Sequence, residues 1–144
     1  FGWAAAAGAR TQGASAQAQE ALTRFGLHLG VAFQLVDDVI DYEGQGTGKT
    51  LFTDLGEGKI TLPLILALRD DASLLPEVER VRAGDAGPMT RIAARVRELG
   101  TADRVRARAR VETEAALAAL ATLPASPARD LLAKVAEDLT IRVL

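Results

Sequence analysis

The sequence predicts an all-α protein, and three observations lead to this prediction. Aromatic residues make up only 4% of the 144 residues and alanine is abundant, a composition that favours helices in close contact. Apolar residues recur at steps of three and four between Ala18 and Val39, as they do on one face of a helix. The segments are separated by glycines, prolines and capping residues, and no stretch has a convincing strand pattern. We therefore expect one all-α segment over residues 1–144, folded as part of a helical bundle.

The first three helices have recognisable ends. Residues 1–9 resemble the end of a buried helix, and Ser15 is a suitable N-cap for a long helix over Ala16–Tyr42. A glycine-rich stretch then ends the helical periodicity and predicts a loop. Thr61 can cap the next helix, and Pro63 fits its first turn, where a missing amide has little effect. This third helix is predicted to end near residues 70–71.

Proline and glycine also set the ends of the later helices. Pro88 opens a helix that stops at Gly100, and Pro124 and Pro127 separate the last two helices. The predicted spans in this half of the chain are residues 76–83, 88–100, 101–123 and 128–143.

The overall composition excludes several classes of function. A net charge of −2 gives no general attraction to nucleic acid, and the absence of cysteine excludes disulfides and thiolate chemistry. No apolar run is long enough for a stable membrane insertion. The chain begins at Phe1 without a signal-peptide pattern. We therefore expect a fragment or processed chain of a cytoplasmic protein.

Three aspartates near the end of the long helix predict a metal site. Asp37 and Asp41 are one helical turn apart, with Asp38 beside them, and like charges at this spacing destabilise a helix by a few tenths of a kcal/mol. Mg²⁺ takes oxygen ligands and needs only one or two carboxylates when substrate phosphates complete its shell. The alternative is a solvated acidic face, which the neighbouring Val36 and Val39 disfavour.

Two lysines follow these acids and predict an anion site. Lys49 and Lys59 are two of the three lysines in the chain, and each follows a glycine that lets the backbone approach a ligand. Compact positive charges of this kind suit a diphosphate, and Asp54 lies between them. Two solvated loop lysines are the alternative interpretation. The segment GTGKT resembles the end of a P-loop, but Glu43 stands where that motif requires glycine.

The order of these residues resembles the second aspartate-rich region of the trans-polyprenyl diphosphate synthases. The matching residues include a helix with G-x-x-F-Q-x-x-D-D-x-x-D over residues 30–41, then Gly-Lys at 48–49, Asp54, and G-K-x-T-L-P over 58–63. The core of the resemblance covers residues 30–66, and it is most similar to the octaprenyl-type, long-chain synthases. It implies the C-terminal half of an enzyme with the all-α isoprenoid synthase fold, which is usually a homodimer.

The resemblance also implies a reaction and a role for each matching residue. The family is magnesium-dependent and condenses an allylic diphosphate with isopentenyl diphosphate. Asp37 is then a direct metal ligand, Asp38 and Asp41 complete or orient the shell, and Asp54 supports it. Lys49 holds the departing diphosphate, and Lys59 is a further candidate. The remaining two implied residues are Gln34, which faces the developing carbocation, and Phe33, which lines the pocket.

The match departs from the family pattern in two respects. Phe52 stands where many members carry glycine, and the family's first aspartate-rich motif does not occur in these 144 residues. We therefore expect the chain alone to be inactive. Two other functions stay open at this point: a non-catalytic helical subunit that kept the motif, and a terpene cyclase.

Overall fold

The computed structural model describes residues 1–43 and 53–141, and within them it contains helices and no strand, which confirms the all-α prediction. A 3₁₀ turn over Ala72–Leu74 precedes the fifth α-helix. The helices are α1 (Gly2–Thr11), α2 (Ala16–Glu43), α3 (Thr53–Gly56), α4 (Leu62–Asp70), α5 (Leu75–Arg82), α6 (Met89–Glu98), α7 (Thr101–Ala121) and α8 (Pro127–Ile141).

The chain divides into two compact units. Unit 1 comprises Phe1–Gln34 and Arg108–Leu144, and unit 2 comprises Leu35–Ala107. The long helices α2 and α7 each contribute one part to each unit. The acidic end of α2 therefore belongs to unit 2.

Unit 1 has a core in which α1, α2, α7 and α8 contribute alanine and leucine side chains, together with Phe25 from α2. Glycine at position 26 lets α1 approach α2 closely, since a Cβ there would lie 2.7 Å from the backbone oxygen of Phe1. The buried residues of this core are Phe25, Leu29, Ala116, Ala119, Leu120 and Ala136.

Unit 2 has its own core, which packs the end of α2 with the shorter helices. Tyr42 and Leu55 bring the end of α2 and the short helix α3 into it. The other buried members are Leu64, Ala67, Leu74, Val78, Val81, Ile92, Ala93 and Val96. The last turns of α2, which carry the three aspartates, are thus anchored on one side by apolar packing.

The predicted helix starts agree with the structure, with one qualification. The Ser15 hydroxyl accepts the Ala18 N–H at 3.2 Å, which confirms the N-cap of α2. Thr61 occupies the N-cap position of α4 with Pro63 in the first turn, but its side chain makes no capping bond. Instead the Thr61 hydroxyl donates to the Tyr42 hydroxyl at 3.5 Å. The helix α3 was not predicted, because four residues are too few to show periodicity.

Among the described helices, none combines the length and the apolar character that a membrane crossing demands.

Candidate metal centre at the end of α2

The three aspartates lie on the last two turns of α2 and are only partly accessible to solvent. Asp38 is 8% exposed, while Asp37 and Asp41 are half-buried. Their neighbours Val36 and Val39 are buried. A charged side chain is rarely buried without compensating interactions, so this end of α2 is unlike a solvated acidic face.

Asp41 is joined to the start of α3 by hydrogen bonds. Its Oδ1 accepts the Thr53 N–H at 2.9 Å, and its Oδ2 accepts the Asp54 N–H at 3.2 Å. Burial raises the pKa of the Asp41 carboxyl above its ordinary value, and the charge of Asp54 raises it further. The backbone N–H bonds act in the opposite direction, because they stabilise the ionised form.

Asp54 and Lys59 form an ion pair next to this connection. The Lys59 Nζ lies 2.9 Å from Asp54 Oδ1 and 2.8 Å from Glu57 Oε2, and the lysine side chain is 58% exposed. Hydrogen bonds to Glu57 and then to Asp54 raise the pKa of Lys59. Lys59, one of the two lysines predicted to bind diphosphate, is thus paired with two carboxylates. An anionic ligand would have to compete with these carboxylates for the ammonium group.

Tyr42 lies beneath the acidic residues in the core of unit 2. Its side chain is fully buried, and burial raises its pKa to about 12. The charges of Asp41, Asp54 and Asp38 also contribute to this increase in pKa, so all three carboxylates are near enough to act on one phenol. The backbone oxygen of Tyr42 accepts a hydrogen bond from Arg97 Nη1 at 3.1 Å, which satisfies one of the carbonyl groups at the end of α2.

The other predicted site residues are placed as follows. Phe33 and Gln34 are exposed on α2 in unit 1, and the ring centroid of Phe33 lies 5.4 Å from that of Phe1. Lys49 lies outside the described residues. The structure therefore brings Asp37, Asp38 and Asp41 together on one helix end and joins Asp54 and Lys59 to it through α3.

The donor set fits a hard divalent cation that is shared with a substrate. Within residues 1–43 and 53–141, no three acidic or histidine side chains are grouped so that they could hold a metal by themselves. Mg²⁺ characteristically keeps several waters and uses one or two carboxylates with substrate phosphates. Carboxylates without a nearby histidine or cysteine also match the oxygen preference of Mg²⁺ rather than that of zinc. The metal roles of Asp37, Asp38, Asp41 and Asp54 stay predictions.

Two contributors to this site were not predicted from the sequence. Tyr42 follows Asp41 directly, and its position as the last apolar residue of the helical stripe could have indicated a buried phenol under the acids. Arg97 acts across 55 residues of sequence on the Tyr42 carbonyl, and no local pattern indicates such a contact.

The fold and the site thus define an all-helical protein with an acidic candidate metal centre where a long helix ends. A family model described as "Polyprenyl synthetase" matches residues 1–92. The chain belongs to the polyprenyl synthetase family. This finding confirms the resemblance that the aspartate-rich region indicated.

Curated relatives extend the match along most of the chain. An all-trans-nonaprenyl-diphosphate synthase (geranyl-diphosphate specific) from Rhodobacter capsulatus is 39% identical over 118 residues, which are 79% of this chain and 36% of that protein. An octaprenyl diphosphate synthase from Haemophilus influenzae is 36% identical over 142 residues, or 94% of this chain and 43% of that protein. The chain spans less than half the length of these relatives.

Solved structures show the same fold. A decaprenyl diphosphate synthase from Rhodobacter capsulatus gives a TM-score of 0.90 at 34% identity, covering 100% of this chain and 46% of that one. A polyprenyl synthase from Caulobacter crescentus, complexed with calcium and isoprenyl diphosphate, gives 0.88 at 36% identity with the same coverage. These neighbours confirm the predicted isoprenoid synthase fold.

Proposed function

We propose that the protein carrying this chain is a polyprenyl diphosphate synthase, a prenyltransferase of isoprenoid biosynthesis that condenses an allylic diphosphate with isopentenyl diphosphate. The observation that carries the proposal is the partly buried aspartate pair at the end of α2, Asp37 and Asp38, in a chain of this family. The two curated relatives and the decaprenyl diphosphate synthase named above are prenyl diphosphate synthases by name, which gives no support to a terpene cyclase.

The reaction places negative charge on the departing diphosphate, and this charge has to be stabilised. The allylic C–O bond breaks with its electron pair on the diphosphate, the double bond of isopentenyl diphosphate supplies the electrons of the new C–C bond, and a proton is then lost. Mg²⁺, when bound, would offset negative charge on the departing diphosphate. The Caulobacter polyprenyl synthase is complexed with calcium, which supports a dependence on a divalent cation.

The residues of this chain have separate tasks in the proposal. Asp37 and Asp38 supply the carboxylates that hold the cation, and Asp54 adds negative potential close to them. Lys49 binds the departing diphosphate, and Lys59 can join it once the ion pairs with Asp54 and Glu57 open.

Two further roles follow from the family resemblance and involve the preceding turn of α2. Gln34 faces the developing carbocation with its amide oxygen, and Phe33 lines the space for the prenyl chain. We also propose that the intact protein is a cytoplasmic homodimer without a nucleic-acid partner.

Product formation tests the proposal in a protein that carries this chain at the family's full length. We expect radiolabelled isopentenyl diphosphate to enter a longer prenyl diphosphate only when Mg²⁺ and an allylic diphosphate are present, and a chelator to stop the reaction. Consumption of the allylic diphosphate without isopentenyl diphosphate would instead identify a cyclase. Absence of any turnover would support a non-catalytic subunit.

The 144-residue chain by itself is expected to be inactive. Its sequence contains one aspartate-rich motif of this type, so an opposing set of carboxylates and a second substrate site are missing, and the advantage of proximity is lost. Unit 1 also exposes large apolar side chains, among them Trp3 at 78% and Phe1 at 60%, which favours self-association. Product formation by a monomer, identified by light scattering, would contradict this expectation.

A further inference from the structure

The Asp41 carboxylate is hydrogen-bonded to backbone amides at the start of α3. Two successive amides at the start of α3, those of Thr53 and Asp54, donate hydrogen bonds to its carboxylate. These bonds span 12 and 13 residues of sequence, and they use both carboxylate oxygens. The Asp41 side chain therefore caps the N-terminus of α3, which begins 12 residues later in the sequence.

The helix α3 needs this external cap. The first amides of any helix lack partners within it, and they are usually satisfied by the side-chain oxygen of the residue just before the helix. Here that residue is Phe52, which has no side-chain oxygen. The capping role passes to Asp41 on α2.

The positions of Asp54 and Lys59 depend on this cap. The helix α3 carries Asp54, and Asp54 Oδ1 holds Lys59 Nζ at 2.9 Å. The Lys59 N–H also donates to the Asp54 backbone oxygen at 2.8 Å, so the two residues move together with α3. A loss of the hydrogen bonds that Asp41 accepts would release the Asp54–Lys59 pair from the end of α2.

We propose that Asp41 is a positioning residue, which fixes α3 and the Asp54–Lys59 pair relative to Asp37 and Asp38 and does not itself bind the cation. A cation on Asp41 would lie beside amide N–H groups that already point their partial positive charge at the same carboxylate. The inference rests on the proposed function, because it divides the acidic residues of that metal site into binding and positioning residues.

Two substitutions at this position separate the alternatives. Asparagine caps helices about as well as aspartate, so Asp41→Asn can keep one of the two bonds, but it is neutral and a weaker ligand for a hard cation. Asp41→Ala keeps neither property. A positioning role therefore tolerates asparagine and not alanine, whereas a ligand role tolerates neither.

The test uses the ¹⁵N-labelled 144-residue chain with Mn²⁺ and inorganic diphosphate as probes. We expect Asp41→Ala to speed hydrogen exchange at the Thr53 and Asp54 amides by roughly fivefold, the effect of losing a typical N-cap. Asp41→Asn should retain most of the protection and bind Mn²⁺ within about twofold of the wild type, as followed by paramagnetic broadening. Asp37→Asn should weaken Mn²⁺ binding by about tenfold or more and leave both amides protected.

A matched control removes a capping aspartate elsewhere in unit 2. Asp71→Ala removes another capping aspartate of unit 2, whose Oδ1 accepts the Ser73 N–H, and it should leave the Thr53 and Asp54 amides unchanged. Loss of Mn²⁺ affinity in Asp41→Asn as large as that in Asp37→Asn would overturn the inference, as would unchanged amides in Asp41→Ala. If the wild type or Asp37→Asn shows that Asp37 holds no Mn²⁺, the metal assignment of the proposed function fails, and the amide exchange still decides the role of Asp41.

Discussion

The single tyrosine of the chain gives a direct test of the geometry beneath the acidic residues. Tyr42 is fully buried, and its pKa is raised from 10.0 to about 12, first by burial and then by the charges of Asp41, Asp54 and Asp38. The folded chain therefore keeps the phenol proton at a pH where the unfolded chain has lost it. The corresponding stability is complete below pH 10 and is lost as the pH rises through about 12.

The size of the effect follows from the two pKa values. At about pH 11 the unfolded phenol is mostly ionised and the folded phenol mostly neutral, so the unfolding equilibrium shifts about tenfold, or about 1.4 kcal/mol. Above the folded pKa the loss approaches about 3 kcal/mol. Replacement by Tyr42→Phe removes this contribution, because phenylalanine cannot ionise.

Urea unfolding of both proteins at about pH 9 and about pH 11, followed by circular dichroism, measures the difference. Lysine and arginine titration affects both proteins equally, so the wild type should lose about 1.4 kcal/mol more than Tyr42→Phe. Tyrosinate absorbance in the folded wild type gives the pKa independently. Parallel loss of stability in the two proteins, or a phenol that titrates near pH 10 when folded, would show that the folded chain does not raise the pKa of Tyr42. Asp70→Asn serves as a control, since its charge is not among those that raise this pKa.

Two other predictions concern charges elsewhere in unit 2. Lys49→Ala should weaken inhibition of the full-length enzyme by inorganic diphosphate more than Lys59→Ala does, because Lys59 is already paired with two carboxylates; equal effects would contradict this ranking. Hydrogen bonds from the Gly87 N–H and then from Arg80 lower the pKa of Asp85 below 3.8. This contribution to stability is present above pH 3.8 and lost as the pH falls through the lower folded pKa. The free energy of unfolding of Asp85→Asn should therefore depend less on pH in acid than that of the wild type. An acid transition identical to that of the wild type would argue against a lowered pKa of Asp85.

Local sequence patterns predicted the long elements of this fold well. The apolar stripe of α2 and the cap at Ser15 are determined by residues within a few turns of each other, so the helix could be located from the sequence. The acidic cluster could be found for the same reason, because spacing along one helix fixes which side chains are neighbours.

The connections around the acidic cluster could not be predicted, since they join residues that are distant in sequence. Asp41 caps a four-residue helix that begins 12 residues later, and Arg97 reaches the Tyr42 carbonyl across 55 residues. These contacts are decided by tertiary packing in unit 2. The pairing of Lys59 with Asp54 and Glu57 depends on α3. This helix has only four residues, which are too few to show a helical pattern in the sequence.

The proposed binding of the divalent cation by Asp37 and Asp38 can be tested by the turnover of Asp37→Ala at saturating Mg²⁺. The measurement is incorporation of radiolabelled isopentenyl diphosphate by a full-length protein carrying this chain. Asp70→Ala is the matched control, because Asp70 and Asp71 form another pair of adjacent aspartates, at the end of α4. We expect Asp37→Ala to lose turnover by orders of magnitude while its circular dichroism stays that of the wild type, and Asp70→Ala to keep its activity. Near-normal turnover by a folded Asp37→Ala would show that Asp37 is not needed to hold the cation.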